Sequence, residues 1–216
     1  MNKQQVLQTI RDVGIIPVVR AESADEAIMA IEAIREGGIS ILEITMTVPG
    51  AVVLIDNLWQ RYGSEALVGA GTVLDGETAR ACIEAGAQFV VSPSLNVETI
   101  EVCRQNDVAV LPGALTPTEV VEAWSAGADF VKVFPIAAVG GAKYLKLVKG
   151  PLPHIKIIPT GGVDQTMAGE LIKAGAEAVG VGSDLADASA AREGRASDIT
   201  AAARKYLSIA AEARQK

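Results

Sequence analysis

The stretch SAGADFVKV at residues 125–133 places a glycine between a segment of helical apolar spacing and a short run of apolar and β-branched residues. Three other stretches repeat this order: EGGISILEI at 36–44, EAGAQFVVS at 84–92 and KAGAEAVGV at 173–181. Glycine often takes this place because it adopts the left-handed conformation that ends a helix. The pattern predicts four points at which a helix ends and a strand begins, at Gly38, Gly86, Gly127 and Gly175.

The spacing of these glycines predicts a repeating strand–helix fold, because they lie about two strand-plus-helix units apart and so mark every second strand. Short apolar runs typical of buried parallel strands alternate with amphipathic segments. These runs cover residues 15–20, 39–45, 66–70, 88–92, 108–111, 130–134, 155–159 and 178–182. We expect an α/β fold, with one (β/α)8 TIM barrel domain over residues 1–216, an extra N-terminal helix at 2–13 and a trailing helix at 197–213.

An open, doubly wound sheet is the alternative topology. Such sheets bind nucleotides through a glycine-rich turn that follows the first strand. The closest match here is GVGSDL at residues 180–185, which ends in leucine and follows the last strand. The sequence therefore favours the barrel over this alternative.

Composition argues against several classes of function. A net charge of −7 and only eight aromatic residues argue against nucleic-acid binding. No run of eighteen apolar residues is present, so we expect no membrane span. Residues 1–14 mix charges with helical apolar spacing and lack the order of a secretion signal, which favours a cytoplasmic location.

The scarcity of metal ligands argues against a zinc site. His154, between two prolines, is the one histidine in the sequence, and we expect it in an exposed turn without a role. Cys82 and Cys103 stand alone at positions that fit helices. We therefore expect neither a His/Cys zinc site nor a disulfide framework.

Glu43 and Lys132 are the strongest catalytic candidates. Each lies five residues beyond one of the repeated glycines, on alternate strands of the predicted barrel. Such positions share one layer of a barrel interior, so both side chains are expected to point inward. A simpler interpretation is a lysine that extends to water at the end of a strand, with the glutamate as its ion-pair partner.

The surroundings of Lys132 favour chemistry over that simpler interpretation. The lysine lies within FVKVF at 130–134, where burial would lower the pKa of its amine towards neutrality. A neutral amine can attack a carbonyl carbon, and a nearby carboxyl group can transfer the protons that imine formation requires. The pair therefore has the chemistry of a Schiff-base aldolase.

Two glycine clusters follow the seventh and eighth strands, PTGGVD at 159–164 and GVGS at 180–183. In barrels these two loops, with the start of a short extra helix, often bind phosphate through backbone N–H groups. We expect that extra helix at residues 184–188. The alternative is a pair of tight turns in which Asp164 only caps the next helix. Both clusters together favour a phosphorylated small-molecule substrate.

Several other residues are expected at the same end of the barrel. Gly69 and Gly71 are more simply explained by barrel closure, whereas Thr72 is a candidate ligand for a substrate carboxylate. Arg20 ends the first strand and is the one cation besides Lys132 expected at this rim. A surface arginine without a role is the alternative.

These motifs resemble the 2-keto-3-deoxy-6-phosphogluconate (KDPG) and 4-hydroxy-2-oxoglutarate (KHG) aldolases. The resemblance covers nearly the whole chain and rests on the motifs LEIT, VGAGTV, VSP, FVKVFP, PTGGV and GVGS. It implies a homotrimeric barrel that cleaves a phosphorylated keto acid without a metal or cofactor. By this resemblance Lys132 forms the Schiff base and Glu43 transfers protons. It assigns the remaining contacts to Thr72 and Thr160 around the pyruvate part, Pro93 and Phe134 as pocket walls, and Gly161, Gly162 and Ser183 around the phosphate, beside Gly182 of the same cluster.

One position departs from the resemblance. Some members of that family carry a carboxylate-binding arginine four residues after the glutamate, where this chain has Thr47. We expect Arg20 to supply the missing positive charge. The functions left open are cleavage of KDPG, of its galactonate epimer or of KHG, a sugar-phosphate isomerase on the same barrel, and a barrel that serves only as a binding or assembly module.

Overall fold

A computed structural model describes residues 1–63 and 65–215 of the chain. The strands are β1 (Ile15–Val19), β2 (Ile41–Thr45), β3 (Leu67–Gly71), β4 (Phe89–Val91), β5 (Ala109–Leu111), β6 (Gly113–Ala114), β7 (Val131–Val133), β8 (Ile157–Pro159) and β9 (Val179–Val181). The helices are α1 (Lys3–Val13), α2 (Ala24–Glu36), α3 (Ala51–Tyr62), α4 (Gly76–Glu84), α5 (Val97–Gln105), α6 (Pro117–Ser125), α7 (Ala142–Lys149), α8 (Gln165–Lys173), α9 (Ala188–Arg192) and α10 (Ala196–Arg214), with a 3-10 helix at Ile136–Val139.

The strands form two parallel sheets. Six strands pair in the order β5-β4-β3-β2-β1-β9, and three pair in the order β6-β7-β8. Neighbours in the large sheet follow chain order, and the last strand lies beside the first. A doubly wound sheet reverses its strand order at a switch point instead, so this alternative is excluded.

Pro112 directly follows the predicted fifth strand (residues 108–111) and separates β5 from a further short strand, β6. Proline has no N–H to donate to a sheet ladder, and the pairing partner changes at this residue. The carbonyl of Leu111 accepts a hydrogen bond from the backbone N–H of Ser92, the residue that follows β4, at 3.1 Å. The carbonyl of Pro112 instead accepts from the backbone N–H of Lys132 in β7 at 2.9 Å. A single parallel bridge between Thr160 and Gly180 joins the end of β8 to β9.

The predicted helix ends are confirmed. The four repeated glycines have φ values of +98°, +97°, +104° and +97°, all left-handed. The predicted terminal helices are also present, as α1 and α10, and every residue of the nine strands is buried. Cys82 and Cys103 lie on helices as expected, in α4 and α5, and the structure shows that both are buried. None of the described helices is long and apolar enough to cross a membrane.

The prediction of an extra helix at residues 184–188 is wrong. The backbone N–H groups of Leu185 and Ala186 both donate to the carbonyl of Gly182, at 3.0 and 2.8 Å, which folds this segment into a turn. The short helix α9 begins later, at Ala188, where the Asp187 carboxylate accepts from the N–H of Ala190. The capping residue of α9, Asp187, therefore lies three positions beyond residue 184, where the sequence suggested that the helix begins.

Candidate active site

Glu43 and Lys132 are buried in different sheets, Glu43 in the six-stranded sheet and Lys132 in the three-stranded sheet. Glu43 lies in β2 and is 2% exposed, and Lys132 lies in β7 and is 3% exposed. Their charges are close enough for each to shift the pKa of the other. No nitrogen–oxygen contact within 4 Å joins the pair in the described structure. The simpler interpretation, a lysine that extends to water beside an ion-pair partner, therefore does not describe this site.

Burial moves both pKa values towards neutrality. Desolvation raises the pKa of Glu43, and the positive charges of Lys132 and Arg20 oppose the shift. Desolvation lowers the pKa of Lys132, the Glu43 carboxylate opposes this shift and Arg20 adds to it. Burial thereby shifts the equilibrium of each group towards its uncharged form, the carboxylic acid for Glu43 and the free amine for Lys132. These are the forms that nucleophilic attack and proton transfer require.

The Glu43 carboxyl group and the Lys132 amine have few polar neighbours. Atom Oε1 of Glu43 is fully buried and has no hydrogen-bond partner in the described structure. The Nζ of Lys132 lies 5.2 Å from the centre of the Phe134 ring. A buried polar atom that the protein leaves without a partner is costly, and a catalytic role is one explanation for such an atom. This oxygen therefore has no protein partner that would compete with a bound molecule, and neither Glu43 nor Lys132 is among the residues that line the two cavities described below.

Gly71 leaves the space that the Glu43 carboxyl group occupies. A Cβ atom built on Gly71 would lie within 2.7 Å of Glu43 Cγ and closer still to Oε1. We expect Gly71→Ala to push the carboxyl group aside and to lower kcat at least ~10-fold, since small misplacements of catalytic groups are costly. Steady-state kinetics measures the effect. Gly150→Ala is the matched control, because Gly150 has φ −52° and its Cβ would meet nothing closer than 3.5 Å. Equal kcat values for the two variants would contradict this role of Gly71.

The glycine clusters at the ends of β8 and β9 surround one cavity of about 280 Å³. It brings together seven of the residues singled out from the sequence: Arg20, Phe134, Thr160, Gly161, Gly162, Gly182 and Ser183. Two carboxylates also line it, those of Asp164 and Asp184. Asp164 caps α8 as the sequence suggested, with its Oδ1 accepting from Met167 N at 2.8 Å. Asp184 was missed, because the sequence pattern assigned it to a helix.

A second cavity of about 490 Å³ adjoins the first. Arg20, Ser183 and Val18 line both, and Thr47 lines the second. The Thr47 hydroxyl lies 2.6 Å from that of Thr45, which donates to the Val19 carbonyl at 3.0 Å. Arg20 is exposed and close enough to act on the pKa values of both buried groups. Arg20 and Thr47 therefore lie together in the lining of the second cavity.

Thr72 and Pro93 lie outside the lining of these two cavities. Thr72 directly follows β3 and has φ +60°, a conformation that is uncommon for threonine. Pro93 follows Ser92 at the end of β4, and its backbone lies against Gly113, where a Cβ would not fit. Both are half-buried at the carboxyl end of the strands.

These features define an α/β protein with its candidate active site at the carboxyl ends of parallel strands, the arrangement typical of barrel enzymes. A family model described as KDPG and KHG aldolase matches residues 6–202. The chain belongs to this family.

Named relatives are similar over most of the chain. A 2-dehydro-3-deoxy-phosphogluconate aldolase of Treponema pallidum is 31% identical over 94% of this chain and 97% of its own. A 2-dehydro-3-deoxy-6-phosphogalactonate aldolase of Escherichia coli is 34% identical over 89% and 94%. The crystal structure of the Legionella pneumophila KDPG aldolase, with pyruvate captured as a covalent carbinolamine, has a TM-score of 0.84 at 29% identity and covers 92% of this chain and 96% of its own.

Proposed function

We propose that this chain is a class I aldolase that cleaves KDPG to pyruvate and glyceraldehyde 3-phosphate. The observation that carries the proposal is the burial of Glu43 within β2 and of Lys132 within β7, close enough for each to shift the pKa of the other. A buried amine of lowered pKa is a nucleophile for a ketone. The relatives named as aldolases support the same reaction.

The first half of the proposed reaction forms an imine. The lone pair of Lys132 Nζ adds to the C2 ketone, and the resulting carbinolamine loses its hydroxyl group as water. Glu43 donates the proton that this departure requires and becomes a carboxylate. The protonated imine then withdraws electrons from the neighbouring carbon–carbon bond.

The second half breaks the bond between C3 and C4. The Glu43 carboxylate accepts the proton of the C4 hydroxyl group, either directly or through water, as the C4 oxygen becomes an aldehyde. The bonding electrons move to C3 and the imine nitrogen, which leaves an enamine on Lys132. Protonation at C3 and hydrolysis of the imine release pyruvate and restore the amine. Lys132 and Glu43 thus supply the covalent bond and the proton transfers of this route.

The remaining candidates surround this pair in the proposed complex. Gly161, Gly162, Gly182 and Ser183 hold the phosphoryl group of the substrate, a role that their shared cavity supports. Thr72 and Thr160 contact the pyruvate part, while Pro93 and Phe134 form walls of the pocket. Arg20 binds the C1 carboxylate, with Thr47 beside it.

Arg20→Ala is expected to raise KM for pyruvate-type substrates severalfold. A guanidinium–carboxylate contact is strong in a partly desolvated site, and the exposed position of Arg20 limits the effect. Steady-state kinetics with Arg80→Ala as control measures it, because Arg80 is exposed on α4. An unchanged KM would remove Arg20 from the substrate-binding residues.

The two sheets belong, in this proposal, to a single closed (β/α)8 barrel domain over residues 1–216. Two observations support closure: β5 and β6 are separated only by Pro112, and the bridge between Thr160 and Gly180 joins β8 to β9. We further propose a cytoplasmic homotrimer. Similarity to a chain of a protein cage designed from symmetric oligomeric domains supports self-association, with a TM-score of 0.86 at 31% identity.

The galactonate epimer of KDPG is the second candidate substrate, favoured by the 34% identical relative named for it. KHG, which would give pyruvate and glyoxylate, is the third. Pyruvate release from each compound tests the proposal when kcat/KM is compared among the three. We expect the highest value for a phosphorylated substrate. If none of the three compounds yields pyruvate, the protein is not an aldolase of this kind. The remaining alternatives are then the sugar-phosphate isomerase and the non-enzymatic binding or assembly module.

A further inference from the structure

The cavity between the two glycine clusters contains negative charge of its own. Asp164 and Asp184 line it together with Arg20 and Ser183. Carboxylates close to a bound phosphoryl group repel it, so their orientation affects how tightly that group binds. The contacts of Asp164 and Asp184 with the rest of the protein therefore decide how strongly each affects a bound phosphoryl group.

The carboxylate of Asp164 accepts a hydrogen bond from the backbone. Its Oδ1 caps α8 at Met167. Helix capping is a common role of aspartate at this position and accounts for its presence. Asp184 has no comparable backbone role, because it lies in the turn that replaces the expected helix.

A buried tyrosine holds Asp184 instead. The phenol of Tyr206 donates a hydrogen bond to Oδ2 of Asp184. Tyr206 lies on α10, 22 residues further along the chain, and its side chain is fully buried. Burial raises the pKa of this phenol, so it remains a donor at neutral pH. This hydrogen bond thus connects a carboxylate in the lining of the cavity with a tyrosine in the core of the protein.

We propose that Asp184, oriented by Tyr206, limits the affinity of this cavity for a phosphoryl group. Asp184 weakens binding through its charge, and Tyr206 is a positioning residue that moderates that charge by donating to it. The identity of the ligand rests on the proposed function. A cavity that binds phosphate less tightly releases a phosphorylated product more readily. The weaker binding carries no penalty in kcat, because tight binding of substrate and product alike does not raise kcat.

Inorganic phosphate is the probe that tests Asp184, with its Kd measured by isothermal titration calorimetry. Asp184→Asn removes the charge at an exposed residue and is expected to lower Kd about two- to fivefold, the size typical of partly exposed charges. The same variant should lower KM for KDPG and leave KM for the unphosphorylated KHG unchanged. An unchanged or raised phosphate Kd would overturn the proposal.

Tyr206→Phe tests the positioning role. Loss of the donor leaves the full charge of Asp184 facing the cavity, so we expect phosphate Kd to rise about two- to fivefold. Adding Tyr206→Phe to the Asp184→Asn variant should then change Kd little, since the tyrosine acts through the carboxylate. Tyr62→Phe, at another buried tyrosine, is the matched control. A full effect of Tyr206→Phe in the background of Asp184→Asn would overturn the coupling.

These measurements separate the inference from the proposed function. Phosphate binding needs no catalytic turnover, so its dependence on Asp184 is measurable whether or not the protein cleaves keto acids. Pyruvate release with an unaltered phosphate Kd in Asp184→Asn would refute the inference alone. Loss of all pyruvate release with the expected Kd changes would refute the aldolase alone.

Discussion

Lys132→Ala is expected to lower kcat for cleavage by about 10⁴-fold or more, the scale seen when a covalent nucleophile is removed. Without the amine no imine forms, and the remaining side chains offer no other route for the bonding electrons of C3 and C4. Pyruvate release under saturating substrate measures the loss. Lys143→Ala, at an exposed lysine of α7, is the control and should retain full activity.

The same position provides a control for folding. The pKa of Lys132 is lowered on folding, so between that pKa and 10.5 the unfolded chain binds more protons than the folded one. Wild-type stability therefore rises with pH through this window. Lys132→Met removes the cost of burying the amine, and we expect its Tm at pH 7 to lie above that of the wild type. An inactive variant with a raised Tm excludes misfolding; near wild-type activity in either variant would refute the role of Lys132.

Glu43→Gln is expected to lower kcat by about 10²- to 10⁴-fold, the range typical of general acid–base groups. The amide keeps the shape of the side chain but cannot exchange a proton, so both dehydration of the carbinolamine and cleavage are slowed. The Schiff base should still form during long incubation. Single-turnover measurements with pyruvate would separate slow imine formation from its absence.

The pH dependence provides a second test of Glu43. Its pKa is raised in the folded protein, so its ionisation should appear in the kcat profile above the usual range of a glutamate. That inflection should disappear in Glu43→Gln. Glu101→Gln, at an exposed residue of α5, should leave the profile unchanged. A wild-type profile in the Glu43 variant would show that another group transfers the protons.

The repeated glycines and the Glu43–Lys132 pair were predictable because both depend on local pattern. A left-handed glycine lies between each helix and the strand that follows, and equal counts from two such glycines lead to Glu43 and Lys132, both of them buried. The burial of both groups follows from the apolar residues around them. Neither feature requires knowledge of distant contacts.

The interruption at Pro112 and the pairing of Tyr206 with Asp184 were not predictable in this way. The interruption at Pro112 depends on which neighbouring strand pairs with the residues before the proline and which with the residues after it. The hydrogen bond between Tyr206 and Asp184 joins residues that lie far apart in the sequence. The segment 184–188 has a composition that suits a helix, yet the carbonyl of Gly182 takes the hydrogen bonds that fold it into a turn. Tertiary structure overrides local preference at these places.

The central claim is a covalent bond between Lys132 and a keto acid. The direct measurement is mass spectrometry of tryptic peptides after incubation with pyruvate and borohydride. Because trypsin does not cleave after an alkylated lysine, one reduced pyruvate should appear on a peptide spanning residues 105–143. Label on a different lysine, or active protein that never acquires label, would contradict the account.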